Sequence, residues 1–189
     1  MKYWTGIILL ITACLAARHW TAPHDAEGSL ELTDSAGPRE TAVFSGGCFW
    51  GLQAAFDDLP GVIRTRVGYT GGELENPTYQ QVITGRTGHA EAVEVVFDPT
   101  RTSYSELLHH FFARHRPALG AQSTSYATKH YRSAIFVAND GQRQIAENVI
   151  AAVNDSGRFP APVATRIEPA ATFWEAEAEH QNYLARCSY

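Results

Sequence analysis

Cysteine is scarce in this chain and never closely paired. Among 189 residues there are three, Cys14, Cys48 and Cys187. That excludes a disulfide-scaffolded mini-protein, and the lack of any CxxC pair removes the usual zinc spacing. Basic clusters are missing as well: 15 lysines and arginines are scattered against 20 acidic residues, for a net charge of −5. A nucleic-acid partner is therefore not expected, since such proteins carry a concentrated basic footprint. Charged residues are only 19% of the chain, too few for a disordered polypeptide, and no internal repeat or low-complexity tract is present. With 44% hydrophobic residues, the chain can bury one ordinary core, so one compact domain is the expectation. No metal site and no cofactor are expected, and chemistry based on cysteine has to come from isolated thiols.

The first residues, MKYWTGIILLITACLAARHW, place Lys2 ahead of an apolar run ending near Ala17. That run falls well short of the roughly 20 apolar residues that span a bilayer and fits the hydrophobic region of a secretory signal. Within it, Ile11-Thr12-Ala13-Cys14 resembles a bacterial lipobox, so Cys14 is expected to carry a lipid anchor; an uncleaved signal anchor is the alternative. Residues 1–17 are thus assigned to the anchor, with the domain exported and membrane-attached. Residues 18–40 hold Pro23, Gly28, Gly37 and Pro38 among scattered acids without periodicity, and are read as a flexible acidic tether. The folded domain is expected over 41–189.

Inside that domain short apolar runs alternate with helical patterns, which predicts an α/β layer fold with a mixed sheet. Strands are expected at 41–45, 62–69, 90–97, 133–137 and 163–167. Helices are expected at 49–58, 78–84, 103–114, 142–154 and 170–184, with Ser103 and Asp140 as caps.

The strand residues Ala42-Val43-Phe44 run into Ser45-Gly46-Gly47-Cys48-Phe49-Trp50-Gly51, after which Leu52, Ala55, Phe56 and Leu59 mark an amphipathic helix. Cys48 is therefore expected at a strand-to-helix turn, where free N–H groups and the positive end of the helix dipole favour thiolate and lower the pKa. Gly46 and Gly47 give conformational freedom and clear space for a substrate to approach the sulfur. A cysteine packed as a small apolar side chain is the alternative; the doubled glycine and adjoining aromatics favour the nucleophile. In the strand 90–97, Glu91 shares a face with Val93, Val95 and Phe97. A carboxyl on such a face is desolvated, its pKa rises, and it can act as a general acid. Glu94 falls on the opposite face and is read as a solvated acid.

The hexapeptide Gly46–Gly51, GGCFWG, resembles the signature of the peptide methionine sulfoxide reductase A family. The resemblance continues through Gly68-Tyr69-Thr70-Gly71-Gly72, Asn76-Pro77-Thr78-Tyr79, Thr87-Gly88-His89-Ala90-Glu91-Ala92-Val93, Tyr131-Arg132-Ser133 and His180-Gln181-Asn182-Tyr183-Leu184. It implies a two-layer, ferredoxin-like α/β domain that reduces methionine-S-sulfoxide, peptide-bound or free, with Cys48 as nucleophile. It further implies that Tyr79 and Tyr131 bond the sulfoxide oxygen beside Glu91, and that Phe49 and Trp50 wall a pocket for the S-methyl group. Gly47 and His89 are placed at the substrate, with His89 at the pocket rim or, equally, simply a polar residue at the strand's entry. By the same resemblance Cys48 becomes a sulfenic acid, Cys187 in a mobile tail condenses with it, and a thioredoxin-like reductant recycles the disulfide. Oxidised proteins are then the substrates. His109, His110 and His115 are read as structural.

One departure stands out. Where the family usually carries an active-site aspartate, ungapped alignment places Tyr126. Loss of that carboxylate leaves open a weakened, methionine-sulfoxide-binding module; a cysteine hydrolase using Cys48 with a histidine is the other alternative.

Overall fold

The computed structural model describes residues 37–115, 117 and 126–187. The expected anchor and nearly all of the tether lie outside the described residues. The element order is β1 (Glu40–Ser45), α1 (Phe49–Asp57), β2 (Val62–Thr70), α2 (Tyr79–Val82), β3 (Ala90–Phe97) and α3 (Tyr104–Arg114). A 3-10 turn (Tyr126–Tyr131), β4 (Ala134–Val137), α4 (Asp140–Asp155), β5 (Arg166–Pro169), β6 (Trp174–Glu175), a second 3-10 turn (Ala178–His180) and α5 (Tyr183–Cys187) follow. The strands form one mixed sheet in the order β5-β4-β1-β3-β2-β6, with β4 and β5 parallel and the other pairs antiparallel. The expected α/β fold with a mixed sheet is what the chain adopts.

The helices form where an apolar stripe meets good end chemistry. In α1 the buried positions are Phe49, Leu52, Gln53 and Phe56, the i, i+3, i+4, i+7 spacing of one helical face. In α3 they are Tyr104, Leu107, Leu108, Phe111 and Phe112, behind a capping box in which Ser103 and Glu106 bond each other's backbone N–H. For α4 the cap is Asn139, whose side chain accepts from the Gln142 N–H at 2.9 Å, and not Asp140 as the sequence suggested. These stripes close over one sheet face, where Phe44, fully buried, stacks on Phe56 and Phe111 with centroids 5.4 and 5.1 Å away. Truncating such a side chain typically costs about 3–5 kcal/mol. This packing fixes the end of β1, and so the turn that carries Cys48.

The C-terminal stretch departs from expectation. A helix over 170–184 is not present, and the strand expected at 163–167 lies at Arg166–Pro169. Trp174 and Glu175 pair with Tyr69 and Gly68 instead, and the Ala176 N–H bonds the Val67 carbonyl at 3.0 Å. Farther along, the Gln181 amide imitates a strand residue: its Oε1 accepts from the Val67 N–H and its Nε2 donates to the Val67 carbonyl, both at 2.9 Å. The helical periodicity was overridden because the edge of β2 offered unpaired backbone groups, which must find partners.

Candidate active site

Cys48 is the N-cap residue of α1, exposed, on backbone made possible by Gly47 at φ +93°. The side chain makes no capping hydrogen bond, but the backbone N–H groups of Trp50 and Gly51 lie toward the sulfur and favour thiolate, as expected at a helix N-terminus. They do not prevail. Although the residue is exposed, partial desolvation of its sulfur, then the charge of Glu91, push the thiol above its ordinary pKa. Gly46 serves a different end from the one expected: a Cβ there would meet Phe111 Cε2 at 2.8 Å and His115 Cδ2 at 2.9 Å, so the space it spares is filled by the protein and not by a substrate.

Glu91 lies on the helix-covered face of β3 and is 1% exposed. Its Oε2 accepts from the Phe49 N–H at 3.1 Å, so the acid is joined to the residue after Cys48; its Oε1 is buried with no hydrogen-bond partner. Burial pushes its pKa up to about 7, against the weaker opposing effect of the Phe49 N–H. A carboxyl protonated near neutrality and a thiol beside it form a coupled pair: a proton on Glu91 removes the charge that opposes ionisation of Cys48. Glu94, on the opposite face as expected, is ion-paired with Arg66 at 2.6 Å and not simply solvated.

Tyr79 and Tyr131 converge on the same place. Burial raises both phenols, and the charges of Glu91 and Cys48 raise them further, Tyr131 to about 12, so both remain neutral donors. Phe49 is fully buried among Trp50, Tyr69, Tyr79 and His180, with ring centroids 5.6–6.3 Å away. Trp50 is half-buried and stacked on Tyr183 at 3.9 Å. An aromatic wall thus borders the thiol and acid. A nucleophile, a protonated acid, neutral donors and an apolar wall suit attack on a polar, methyl-bearing sulfur whose oxygen must be protonated.

Residues 40–188 match the family described as peptide methionine sulfoxide reductase. The chain belongs to this family. It is 50% identical over 145 residues to peptide methionine sulfoxide reductase MsrA of Nocardia farcinica, covering 77% of this chain and 83% of that protein. Among solved structures it resembles methionine sulfoxide reductase A of Corynebacterium diphtheriae, at 35% identity and a TM-score of 0.67, over 80% of this chain and 76% of the other. It shares its fold with Mxr1 from Saccharomyces cerevisiae, solved in complex with Trx2, at 22% identity and a TM-score of 0.52 over 77% and 84% of the two chains. As a member of the family, the protein is a peptide-methionine (S)-S-oxide reductase working by cysteine chemistry.

The reductase places some site residues differently from the sequence reading. His89 is 2% exposed, with Nδ1 accepting from the Gly72 N–H at 3.2 Å and Nε2 donating to the Leu74 carbonyl at 2.8 Å. Both ring nitrogens are committed to the loop after β2, so none is left for a substrate. Cys187 is exposed but is the last residue of α5, not part of a tail beyond a long helix. Tyr126 opens a 3-10 turn. Among the described residues no three His, Cys, Asp or Glu side chains form a metal cluster, and no histidine hydrogen-bonds Cys48, which leaves a Cys/His hydrolase without its base. Sequence reasoning gave no role to Tyr69, Glu177 or His180. Glu177 Oε1 accepts from the Tyr79 N–H at 2.8 Å and its Oε2 from the Tyr69 hydroxyl at 2.7 Å, while the His180 ring lies 4.3 Å from that of Tyr79. The AEAEH and GYTGG motifs were the available signals, but their meeting depends on β6 pairing with β2.

Proposed function

We propose that Cys48 is the nucleophile, Glu91 the general acid, and Tyr79 and Tyr131 the donors that hold the sulfoxide oxygen. The Cys48 thiolate attacks the sulfoxide sulfur as Glu91 passes its proton to the oxygen. That attack forms an S–S bond; the hydroxyl then shifts to Cys48 Sγ as the substrate's S–O bond and the new S–S bond break, methionine leaves, Cys48 is a sulfenic acid, and Glu91 is left ionised. Trp50 and the rings behind it receive the methyl group. The observation that carries this reading is Glu91 itself: a buried carboxyl, raised to about 7 so that it still holds protons at neutral pH, with one oxygen hydrogen-bonded to the residue after the nucleophile and the other unpartnered.

Cys187 then resolves the sulfenic acid: its sulfur bonds Cys48 Sγ, the S–O bond breaks, and water departs. Support comes from α5, where Tyr183 lies against Trp50 and Cys187 follows four residues later, on the same helix face and roughly 6 Å along the axis. A thioredoxin-type dithiol reduces the disulfide by exchange and leaves as a disulfide itself. We also propose that Cys14 anchors the enzyme to a membrane by lipid, on the strength of the lipobox-like Ile11–Cys14; globomycin-sensitive processing in the native host tests this.

The deciding experiment is single-turnover reduction of methionine-S-sulfoxide with the thiols trapped afterwards. Wild type should yield one methionine and a Cys48–Cys187 disulfide. Cys187→Ser should yield the same methionine and a trappable sulfenic acid, then stall with thioredoxin but not fully with dithiothreitol. Methionine formation by Cys48→Ser would overturn the mechanism.

A further inference from the structure

Tyr69 and Glu91 stand directly opposite each other in the β2–β3 ladder, on the helix-covered face. Side chains in that relation have Cβ atoms only about 4.5–5.5 Å apart. A buried phenol next to a buried carboxyl with an open oxygen ordinarily donates to it, because a hydrogen bond to a carboxylate is among the stronger ones. Here it does not. The Tyr69 hydroxyl donates to Glu177 Oε2 at 2.7 Å, and Glu91 Oε1 stays unpartnered.

We propose that Glu177 is a positioning residue: by accepting the Tyr69 hydroxyl it keeps that donor off Glu91 and leaves Glu91 Oε1 free for the substrate oxygen. This rests on the reading of Glu91 as the acid. Glu177 is suited to the task. Its own burial would raise its pKa, but the Tyr79 N–H, the Tyr69 hydroxyl and nearby His180 outweigh that and hold it below the usual carboxylate range, so it remains an ionised acceptor. The other groups facing Glu91 are Cys48 from the turn before α1, Tyr79 from α2 and Tyr131 from the 3-10 turn; those facing Glu177 are Tyr69, Tyr79 and, at 4.0 Å, His180. With Tyr69 turned away, the Phe49 N–H is the one hydrogen bond that stabilises ionised Glu91 among the described residues. A second donor would lower its pKa by about one unit.

The signature is a loss of rate that depends on pH. The reactive pair carries one proton, on Glu91, with Cys48 ionised. Well below the Glu91 midpoint both groups are protonated and the rate follows Cys48 alone. Above it, the rate follows the share of Glu91 that is still protonated. Glu177→Gln keeps the shape of the side chain but, with its amide oxygen held by the Tyr79 N–H, presents its amide nitrogen to Tyr69. The hydroxyl must then accept, and it turns its own proton toward Glu91.

The test is the single-turnover rate of methionine formation across pH. Relative to wild type, Glu177→Gln should be unchanged near pH 5.5 and slower by about tenfold near pH 8. In the Tyr69→Phe/Glu177→Gln double variant that pH-dependent loss should vanish, and Tyr69→Phe alone, whatever its overall rate, should keep the wild-type midpoint. An equal fall at every pH, no fall at any pH, or a pH-dependent loss persisting without the hydroxyl overturns the proposal. If Glu177→Gln does not fold, a shifted midpoint in Tyr69→Phe overturns it instead. Glu91→Gln separates the two readings: a wild-type rate there means Glu91 is not the acid, and both fall; a slow Glu91→Gln with no pH-dependent loss in Glu177→Gln removes the role of Glu177 alone.

Discussion

Two ionisable side chains, Glu91 buried and His115 partly buried, adjoin the turn at 46–49, and they are satisfied to different degrees. His115, at the end of α3, packs at the place a Gly46 Cβ would fill and stacks on Phe111 at 4.0 Å. Its Nδ1 reaches the Phe111 carbonyl at 2.7 Å and its Nε2 the Ser133 hydroxyl at 2.8 Å, which in turn meets Thr165 at 2.8 Å. A neutral ring protonated at Nδ1 satisfies every one of these contacts, and burial pushes its pKa down to about 4. Glu91 has a partner for one oxygen and none for the other. Buried polar atoms are nearly always paired, so the closed set at His115 marks structure, while the open oxygen of Glu91, a carboxyl that faces Cys48, Tyr79 and Tyr131, is the one the proposed mechanism uses.

The sharpest way to break that contrast is to neutralise Glu91. Glu91→Gln should lower the single-turnover rate by about 10²–10⁴-fold, the usual worth of a general acid. The same variant should be more stable than wild type at alkaline pH. Glu91 has a folded pKa of about 7 against 4.5 in the unfolded chain, so the native state holds the extra proton between these values. Stability therefore falls as pH rises from about 4.5 to 7, and above that window Glu91→Gln should gain about 3 kcal/mol in urea unfolding, with little difference at pH 4. A variant that loses both activity and stability at pH 8 would mean that Glu91 is structural.

His115 has the opposite sign. Its folded pKa of about 4 lies below the 6.5 of the unfolded state. Its contribution is complete above pH 6.5 and disappears as pH falls toward 4, a loss of up to about 3 kcal/mol that His115→Gln should flatten. The smallest effect is expected for Ser133→Ala, which takes the partner from Nε2 and should cost about 1 kcal/mol without changing the midpoint of the pH–rate profile. A shifted midpoint there would link the two regions chemically.

Much of this site could be read from the sequence because its parts are local. The span of β3 comes from eight alternating residues that place Glu91 with Val93, Val95 and Phe97, and α1 begins at Phe49, where the Gly-Gly-Cys turn ends. The net effect on Cys48 was not legible, since the helix N-terminus is a local feature whereas burial and the Glu91 charge come from elsewhere in the chain. His89 misled for the same reason: Glu91 is two residues on in sequence, but the partners of His89 are Gly72 and Leu74. In the C-terminal stretch the pattern of Trp174, Ala178 and Gln181 suits a helix, and only the unpaired edge of β2 makes it a strand and turns. Glu177 was invisible as a functional residue until that edge brought it to Tyr69.

The stacking of Tyr183 on Trp50 also gives the enzyme a built-in optical gauge. An indole stacked by a phenol ring at 3.9 Å, with the His180 ring 5.7 Å away, has that part of its surface closed to water. Any excursion of α5 that carries Cys187 toward the sulfenic acid must lift Tyr183 or slide it across that indole. The emission of Trp50 should then shift to longer wavelength as water reaches the ring, in step with disulfide formation. The redox cycle could in this way be followed in real time by intrinsic fluorescence, with no label attached.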